Sequence, residues 1–355
     1  MMTTVHVAKW NCFKLSRPLM ERRWDPGKVV FVALAEPGWE EIAKSWDVEY
    51  EPLAFSAVWR WALRPDTRMV FHGQPSLPYL FCATMARSLT GRGAEFLYDI
   101  HDLHEKATKG VRGIRRWVLF GFLEWVCLRL KKIRSITVSP GLAKEVARRY
   151  GCREPSQCFS IPLQERPLTL PAWNSRHGIV YFGIIENYRL SEDRLSAMAR
   201  EGLSIDVYGR LVQQCRPAFE LLNRFEALKV VRLRGEYCPD SLEFLDQYEA
   251  VLMDYGTSRS ANVRHCLPNK LFQSLRHGLT VLVSANLEDA IDVFSSIPGA
   301  VMPLTSDSTI CEVIQRARAM RPVDYCERIN RRLDQLHAES RLAYLGTKPG
   351  DQVRM

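Results

Sequence analysis

The stretch Leu267-Pro-Asn-Lys-Leu-Phe-Gln-Ser-Leu-Arg-His-Gly-Leu-Thr-Val-Leu-Val-Ser284 decides the fold of the second half of the chain. It predicts a loop, a short helix that opens after Pro268 and ends at Gly278, and then a buried β-strand, because proline suits the first turn of a helix and glycine the residue just past its end. Upstream, the apolar run 250–256 predicts another buried strand that ends near the start of this helix. Open α/β sheets bind ligands at such strand ends.

The start of this helix is a predicted phosphate site. A helix N-terminus presents unpaired N–H groups and a partial positive charge. Lys270 lies in the first turn and adds a full positive charge, while Asn262 and Asn269 supply amides nearby. The local pattern therefore predicts a phosphate-bearing ligand held by a strand–loop–helix–strand unit.

This arrangement resembles the nucleotide-sugar site of GT-B glycosyltransferases, in particular the large retaining family, glycosyltransferase family 4-like, that includes many bacterial cell-envelope enzymes. That family carries Pro-x-Lys-Leu-Phe-Glu-x-Leu-x-x-Gly before a strand, and the chain matches it at Pro268, Lys270, Leu271, Phe272, Leu275 and Gly278. The family's ribose-binding Glu is Gln273 here, whose amide still bonds a diol but without charge assistance. A second family Glu, eight positions earlier, falls on His265.

Four further donor-site residues follow from the same resemblance. The stretch 182–193 resembles the family's Tyr-x-Gly…Arg-Leu-Asp segment, in which Gly183 lets the donor approach the backbone and Arg189 pairs with the diphosphate. Tyr208 and Gly209 end another predicted strand, where a base or ribose would pack. Plain turns and a solvated arginine are the alternative interpretation of all these positions.

The segment Tyr98-Asp-Ile-His-Asp-Leu-His104 resembles the family's Asp-x-His-Asp motif. The resemblance implies that His101, with Asp102 beside it, reaches the cleft and positions the donor sugar, so that the expected catalytic residues are His101, Asp102 and Lys270. The alternative is a strand-end turn in which Asp102 caps the next helix. No other His/Asp cluster is visible in the sequence, so neither a metal nor a cofactor is expected.

The N-terminal stretch 10–18 resembles the Trp…Arg-Pro loop that faces the acceptor in related envelope enzymes. It makes Trp10 and Arg17 candidate acceptor contacts, with an ordinary surface role for Arg17 as the alternative.

Residues 106–134 are strongly basic at both ends, contain one acid, Glu124, and enclose an apolar, aromatic middle that is too short to span a bilayer. Such a pattern is typical of a helix that lies in an anionic membrane interface. The predicted membrane-facing residues are Arg115, Arg116, Trp117, Phe120 and Trp125. A helix buried between a sheet and its neighbours has the same pattern and stays open as the alternative.

Composition sets the remaining bounds. A chain of 355 residues with 46% hydrophobic and 25% charged residues suits two ordinary globular domains. The net charge of +9 favours an anionic partner, but no nucleic-acid motif accompanies it, so nucleic acid is not expected. The 10 cysteines include no Cys-x-x-Cys pair, and the N-terminus lacks the apolar core of a secretory signal, which together favour a reduced, cytoplasmic setting.

Strand-like and helix-like segments alternate along the whole chain, on either side of a proline-rich stretch near 154–177. The predicted fold is α/β, with two doubly wound Rossmann-like domains (GT-B) and an interdomain cleft. Residues 1–165 would bind the acceptor and 166–322 the nucleotide sugar. Residues 323–355 would form a C-terminal helix and tail, which in GT-B enzymes often crosses back to the first domain.

The functional hypothesis is a retaining, metal-independent glycosyltransferase. It would move a sugar from a nucleoside-diphosphate sugar to a hydroxyl of a lipid-linked saccharide in bacterial envelope or exopolysaccharide synthesis, at the inner face of the cell membrane. Two alternatives stay open: a catalytically silent GT-B relative that serves as a binding or scaffold subunit, and a GT-B nucleotide-sugar epimerase. The departures at His265 and Gln273 keep the silent relative in view.

Overall fold

The computed structural model describes residues 2–9, 21–25, 27–34, 44, 46–91, 93–103, 111–130, 132–161, 176–185, 189–209, 216–237, 241–256, 258, 260–305 and 308–346. The chain forms two compact units. Unit 1 comprises Met1–Ser160 with His337–Met355, and unit 2 comprises Ile161–Leu336. The division at Leu336 falls inside a continuous helix, so no break in the sequence marks it.

Unit 1 contains a seven-stranded parallel sheet in the order β3-β2-β1-β4-β5-β6-β7. Its strands are β1 (Thr3–Ala8), β2 (Lys28–Ala33), β3 (Glu49–Pro52), β4 (Thr67–His72), β5 (Glu95–Ile100), β6 (Ile133–Thr137) and β7 (Ser156–Gln157). Its helices are α1 (Phe55–Ala62), α2 (Leu77–Thr90), α3 (Val111–Arg129) and α4 (Pro140–Tyr150). The central strands are buried over almost their whole length, because helices cover both faces of such a sheet.

Unit 2 contains a six-stranded sheet in the order β10-β9-β8-β11-β12-β13. Its strands are β8 (Ile179–Phe182), β9 (Ile205–Tyr208), β10 (Val231–Gly235), β11 (Ala250–Met253), β12 (Thr280–Ser284) and β13 (Val301–Leu304). Its helices are α5 (Glu192–Arg200), α6 (Arg216–Ala227), α7 (Ala261–Arg264), α8 (Asn269–Arg276), α9 (Glu288–Val293) and α10 (Ile310–Met320), and α11 (Tyr325–Leu345) begins in unit 2 and ends in unit 1.

Local side-chain chemistry fixes several helix ends. Ser139 and Ser191 accept a hydrogen bond from the backbone N–H three residues on, and Thr309 forms a capping box with Glu312. Gly91, in the left-handed region, closes α2. The sequence pattern did not predict β3 or α1. Strand β3 reads Glu-Tyr-Glu-Pro at the edge of the sheet and lacks the apolar run that marks a strand. Residues Glu243–Gln247, before β11, form a 3-10 turn.

In each sheet the chain adds strands first toward one edge and then toward the other, so the order of strand numbers reverses once. The change lies between β1 and β4 in unit 1 and between β8 and β11 in unit 2. At such a switch point the loops leave the sheet in opposite directions and open a crevice at the carboxyl ends of the strands, where doubly wound proteins bind ligands. Each unit therefore has one expected binding position.

None of the described helices combines the length and the apolar content needed to cross a bilayer.

Candidate functional site

Two glycines follow the neighbouring strands β8 and β9, beside the switch point of unit 2. Gly183 follows β8 with a φ of 128°, and a Cβ there would lie 3.7 Å from Lys270 Nζ. A Cβ on Gly209, which follows β9, would lie 2.1 Å from the Gly183 carbonyl oxygen. No side chain fits at Gly209 unless the strand ends move apart. Lys270 Nζ lies close to Gly183 on the same side of the strand end.

Lys270 carries a fixed positive charge at this place. It belongs to the first turn of α8, its residue is only 8% exposed, and Nζ lies 4.3 Å from the ring centroid of Tyr181 and 6.0 Å from that of Tyr255. Aromatic faces stabilise a cation that has lost part of its water shell. The helix N-terminus adds partial positive charge of the same sign. The arrangement favours an anion.

Arg189 adds a second cation. Its guanidinium carbon lies 5.8 Å from the ring centroid of Tyr255, the ring that Lys270 also approaches. Guanidinium groups match phosphate oxygens in geometry and charge. The structure thus brings together three of the predicted donor residues: Gly183, Arg189 and Lys270.

Asp254 fixes the loops around these cations, although the sequence analysis did not select it. Its buried carboxylate, one residue after β11, accepts hydrogen bonds from Ser191 Oγ at 2.5 Å and Ser284 Oγ at 2.7 Å, and from the N–H groups of Ser191 and Gly256. Ser284 Oγ in turn accepts from the Tyr255 N–H at 2.8 Å. The only sequence signal for Asp254 is that it is an acid directly after the apolar run 250–253.

The position at which the resembling family has an acid contains a His–Asp pair. His265 Nδ1 lies 3.1 Å from Asp289 Oδ1 on α9, and the neighbouring Arg264 makes a two-pronged ion pair with Glu288 at 2.8 Å for both contacts. Asn262, Asn269 and Gln273 are half-buried on α7 and α8.

Tyr208 lies in an aromatic cluster at the end of β9. Its ring centroid is 4.2 Å from that of Phe244, and its hydroxyl is 3.2 Å from that of Tyr248. Tyr248 donates to the Asp206 carboxylate at 2.5 Å. Burial, with the hydrogen bond to Asp206 next, raises the pKa of Tyr248. Tyr208 therefore presents a ring held in one orientation, as a stacking surface requires.

In unit 1, His101 follows β5 and contacts a buried carboxylate. His101 Nε2 lies 2.6 Å from Asp99 Oδ2, and its side chain is 25% exposed whereas that of Asp99 is fully buried. Asp102 is exposed, and its carbonyl accepts a hydrogen bond from Gln74 Nε2 at 3.2 Å. The carboxylate that orients His101 is that of Asp99.

A row of buried polar groups continues behind Asp99. Asp99 Oδ2 lies 3.0 Å from His72 Nδ1, His72 Nε2 lies 2.9 Å from His6 Nδ1, and His6 Nε2 lies 2.9 Å from Asp25 Oδ2. Burial lowers the pKa of His72 to about 3 despite the opposing effect of Asp99. The expectation that no His/Asp cluster accompanies His101 was wrong, because strands far apart in sequence supply these residues.

Helix α3 has one buried and one exposed apolar face. Phe120, Leu123, Glu124 and Cys127 are buried, whereas Val118, Leu119, Phe122 and Trp125 are between 40% and 57% exposed. The prediction that Phe120 faces the membrane is corrected by its burial. Trp125 is 40% exposed, while the side chains of Arg115, Arg116 and Trp117, and the residues Trp10 and Arg17, lie outside the described part.

A cavity of about 560 Å³ also lies in unit 2, lined by Glu192, Pro217, Glu220, Leu221 and Arg224. Arg224 pairs with Glu192 at 2.5 Å, and the two glutamates of the lining outnumber its one arginine, so this cavity does not favour an anion. None of its lining residues belongs to the glycine and lysine site at the strand ends, which therefore remains the better candidate.

No protein-family model matches the chain, and no curated protein sequence matches it. Solved structures do. HepE of Anabaena in complex with UDP superposes with a TM-score of 0.68 at 9% identity, over 96% of this chain and 98% of that chain. The α,α-trehalose 6-phosphate synthase of Burkholderia multivorans gives a TM-score of 0.59 at 10% identity, over 97% and 96%.

AviGT4, a glycosyltransferase involved in avilamycin A biosynthesis, gives a TM-score of 0.55 at 13% identity, over 98% of this chain and 99% of that chain. The chain has the GT-B fold. The predicted fold class, two doubly wound α/β domains, is confirmed by these superpositions and by the two parallel sheets. Superpositions at identities this low establish the fold alone.

Proposed function

We propose that this GT-B chain is a glycosyltransferase whose unit 2 binds a nucleoside-diphosphate sugar and whose unit 1 binds a saccharide acceptor. The main support for this proposal is the position of Lys270. It is nearly buried against two aromatic rings and lies next to Gly183 at the switch point of the sheet. The structures of HepE in complex with UDP and with UDP-glucose support a donor of this class.

The chemistry proposed for this site is stabilisation of a departing diphosphate. As the bond between the sugar and the diphosphate breaks, negative charge grows on the phosphate oxygens. Lys270, Arg189 and the N-terminus of α8 supply positive charge that is in place before the reaction, which is the most effective form of electrostatic catalysis. No metal is required for this step.

We propose that the reaction proceeds with retention at the anomeric carbon. The departing phosphate oxygen accepts the proton of the acceptor hydroxyl, so that no side-chain base is needed. His101 donates Nε2–H to Asp99 and keeps Nδ1 for the donor sugar, which makes it a positioning residue.

The acceptor proposed here is a lipid-linked saccharide at the inner face of the cell membrane. The exposed apolar face of α3, with Phe122 57% and Trp125 40% exposed, is the supporting observation. Aromatic side chains prefer the boundary between acyl chains and headgroups, and the chain's excess of positive charge favours anionic lipid. Attachment of this face to a membrane would present unit 1 to lipid-borne acceptors.

The direct test is a donor screen with purified full-length protein. Sugar nucleotides of uridine, guanosine, adenosine and thymidine are incubated with saccharide acceptors, with and without added Mg²⁺ or Mn²⁺, and release of nucleoside diphosphate is measured. We expect release with one donor class, without dependence on added metal, and a product whose anomeric configuration by NMR is that of the donor.

The same screen identifies the competing functions. Binding of a sugar nucleotide without turnover on any acceptor would indicate a silent binding subunit. Conversion of the donor to an isomeric sugar nucleotide in the absence of acceptor would indicate an epimerase. An inverted product would contradict retention while leaving the transferase assignment in place.

A further inference from the structure

The buried row in unit 1 contains two histidines whose ring nitrogens face each other. His6 is in β1 and His72 ends β4, the two strands that flank the switch point of the sheet. His6 Nδ1 and His72 Nε2 are 2.9 Å apart. Both histidines are buried, with exposures of 0% and 1%.

The partners of the other two ring nitrogens define the tautomers. His6 Nε2 lies 2.9 Å from Asp25 Oδ2 and His72 Nδ1 lies 3.0 Å from Asp99 Oδ2, and a carboxylate accepts hydrogen bonds but does not donate them. Each of these nitrogens therefore carries the proton of its neutral imidazole. The remaining nitrogens, His6 Nδ1 and His72 Nε2, then present lone pairs to each other.

Two facing lone pairs at this separation need a positive species between them. Glu21, which is fully buried, places a carboxylate oxygen beside them, so that the ligand atoms of His6, Glu21 and His72 all lie within 4.8 Å of one another. We propose that unit 1 binds a divalent transition-metal ion, with zinc the best match, through His6 Nδ1, His72 Nε2 and the Glu21 carboxylate.

The donor set matches the chemistry of such ions. Imidazole nitrogen and carboxylate oxygen are usual zinc ligands, with bonds of about 2.0–2.2 Å. Two such nitrogens on a tetrahedral ion are about 3.3 Å apart, so the histidines need to separate by only about 0.4 Å. Metal-binding histidines usually donate their other N–H to a carboxylate, as His6 does to Asp25 and His72 does to Asp99.

The charge within the cluster favours a divalent ion over a shared proton. Glu21, Asp25 and Asp99 are three carboxylates whose side chains are fully buried. Tyr344 donates to Asp25 at 2.8 Å and His101 contacts Asp99, and both can do so as neutral groups. A divalent ion places two positive charges beside these carboxylates whereas a shared proton places one, and buried charge is stabilised when it is paired.

A second trio, His72, Asp99 and His101, also brings its ligand atoms within 4.8 Å. It is the weaker candidate, because His72 Nδ1 and His101 Nε2 can both donate a proton to the Asp99 carboxylate, and that arrangement is satisfied without a metal. The ion proposed here lies behind the histidine assigned to the donor sugar, and its role is to fix β1, β4 and the Asp99–His101 pair in position.

The experiment is a cobalt titration of the full-length protein after its metals have been stripped with a chelator. Tetrahedral Co²⁺ reports nitrogen and oxygen ligation through visible absorption bands. We expect one equivalent per chain, displaced by Zn²⁺. The His72→Gln variant should bind no Co²⁺ at this site, and Glu21→Gln, which preserves the volume of the side chain, should bind it at least about tenfold more weakly.

His277→Gln is the matched control, because His277 is 1% exposed and its Nδ1 contacts Asp246 at 2.8 Å, but it lies in unit 2. It should bind Co²⁺ as the wild type does. Stripped wild-type protein that binds no stoichiometric Co²⁺ would overturn the metal and leave a shared proton in the gap. Equal Co²⁺ binding by wild type and Glu21→Gln would also overturn it. The titration requires no sugar donor, so its result does not depend on the proposed transferase activity.

Discussion

The two units place opposite kinds of chemistry at the same topological position. Beside the switch point of unit 2, the strands β8 and β9 are followed by glycines, and a lysine and an arginine lie near one tyrosine ring. At the switch point of unit 1 the strands contribute histidines and carboxylates that contact each other. Unit 2 gathers cations where an external anion would bind, whereas unit 1 uses its polar groups to build an internal cluster with His101 at its partly exposed end.

The same fold thus offers positive charge for a phosphate in unit 2 and a histidine held in position by a carboxylate in unit 1. A phosphate site needs backbone access and cations that do not move, which glycines and a lysine held against aromatic rings provide. A positioning histidine needs a fixed tautomer, which the buried Asp99 provides. The variants below test whether this division of roles is real.

The largest effect is expected at Lys270. Replacing it with methionine preserves the length and apolar contacts of the side chain but removes the charge that offsets the departing diphosphate. Loss of one such preorganised group costs about 10²–10³-fold in turnover. Turnover of Lys270→Met is compared with that of Lys144→Met, an exposed lysine on α4 of unit 1. Equal turnover in the two variants would remove Lys270 from the chemistry.

A steric effect of the next size is expected at Gly209. In Gly209→Ala the new Cβ would meet the Gly183 carbonyl oxygen at 2.1 Å, so β8 and β9 must separate at their ends. Forced overpacking of this kind costs about 1–3 kcal/mol or more. We expect a fall in the thermal unfolding midpoint of about 2–12 °C and weaker UDP binding.

Gly202→Ala is the control for this variant. Gly202 has a φ of 67°, and a Cβ added there would meet no atom within 4 Å, so only the left-handed backbone is penalised. That penalty is about 1–2 kcal/mol, which corresponds to a midpoint shift of about 2–8 °C, and UDP affinity should not change. Identical behaviour of the two alanine variants would contradict the close approach of the strand ends.

A smaller effect, on the pH dependence of stability, is expected in unit 1 at Glu124. Burial raises the pKa of Glu124, although Tyr98 and Tyr150 donate hydrogen bonds to it. A raised folded pKa means that the native state holds the proton longer than the unfolded chain. The stabilisation is therefore complete below the ordinary Glu pKa of about 4.3 and is lost as the pH rises through the folded value.

Glu124→Gln removes this dependence because glutamine does not titrate. The free energy of unfolding, obtained from urea titrations from pH 4 upward, should fall more steeply for the wild type than for Glu124→Gln. The difference in slope is up to about 1.4 kcal/mol per pH unit in the affected window. Glu339→Gln, an exposed acid on α11, should follow the wild type. Parallel pH profiles for the wild type and Glu124→Gln would show that burial does not govern this carboxyl.

The smallest effect concerns the exposed face of α3. Phe122→Ser should weaken flotation with anionic phosphatidylserine-containing vesicles by about tenfold at low salt, because one buried aromatic ring contributes about 1.5–3 kcal/mol when it enters the interface fully and less when it enters partly. Phe219→Ser is the control, an aromatic residue 44% exposed on α6 of unit 2. Equal loss in both variants, or no binding by the wild type, would exclude α3 as the membrane contact.

The sequence predicted what depends on local pattern. Short apolar, β-branched runs alternating with helix-like segments predicted the central strands, and the segment 267–284 predicted the loop, helix and strand around Lys270, because helix stops and buried strands are local signals. Edge strand β3 was missed, because none of its four residues is buried and two of them, Glu49 and Glu51, are acids. The resemblance, rather than periodicity, selected Gly183, Arg189 and His101.

The sequence did not predict what depends on contacts between distant segments. His6, His72 and Asp99 come from three strands that become neighbours only through the order of the sheet. His265 was judged by the acid it replaces, whereas the structure provides Asp289 from the next helix as its carboxylate partner. The face of α3 to which Phe120 belongs was also undecidable, because a helix that is apolar all round does not reveal which side is buried.

The decisive measurement is a calorimetric titration with UDP, because the proposed transferase requires unit 2 to bind a nucleoside diphosphate through Lys270. We expect one UDP site on the wild-type chain, with an affinity that falls by at least about tenfold in Lys270→Met, as expected for the loss of one charged phosphate contact of about 1.5–3 kcal/mol. Equal UDP affinity in the wild type and the variant, or no binding of UDP or any other nucleoside diphosphate by the wild type, would contradict it.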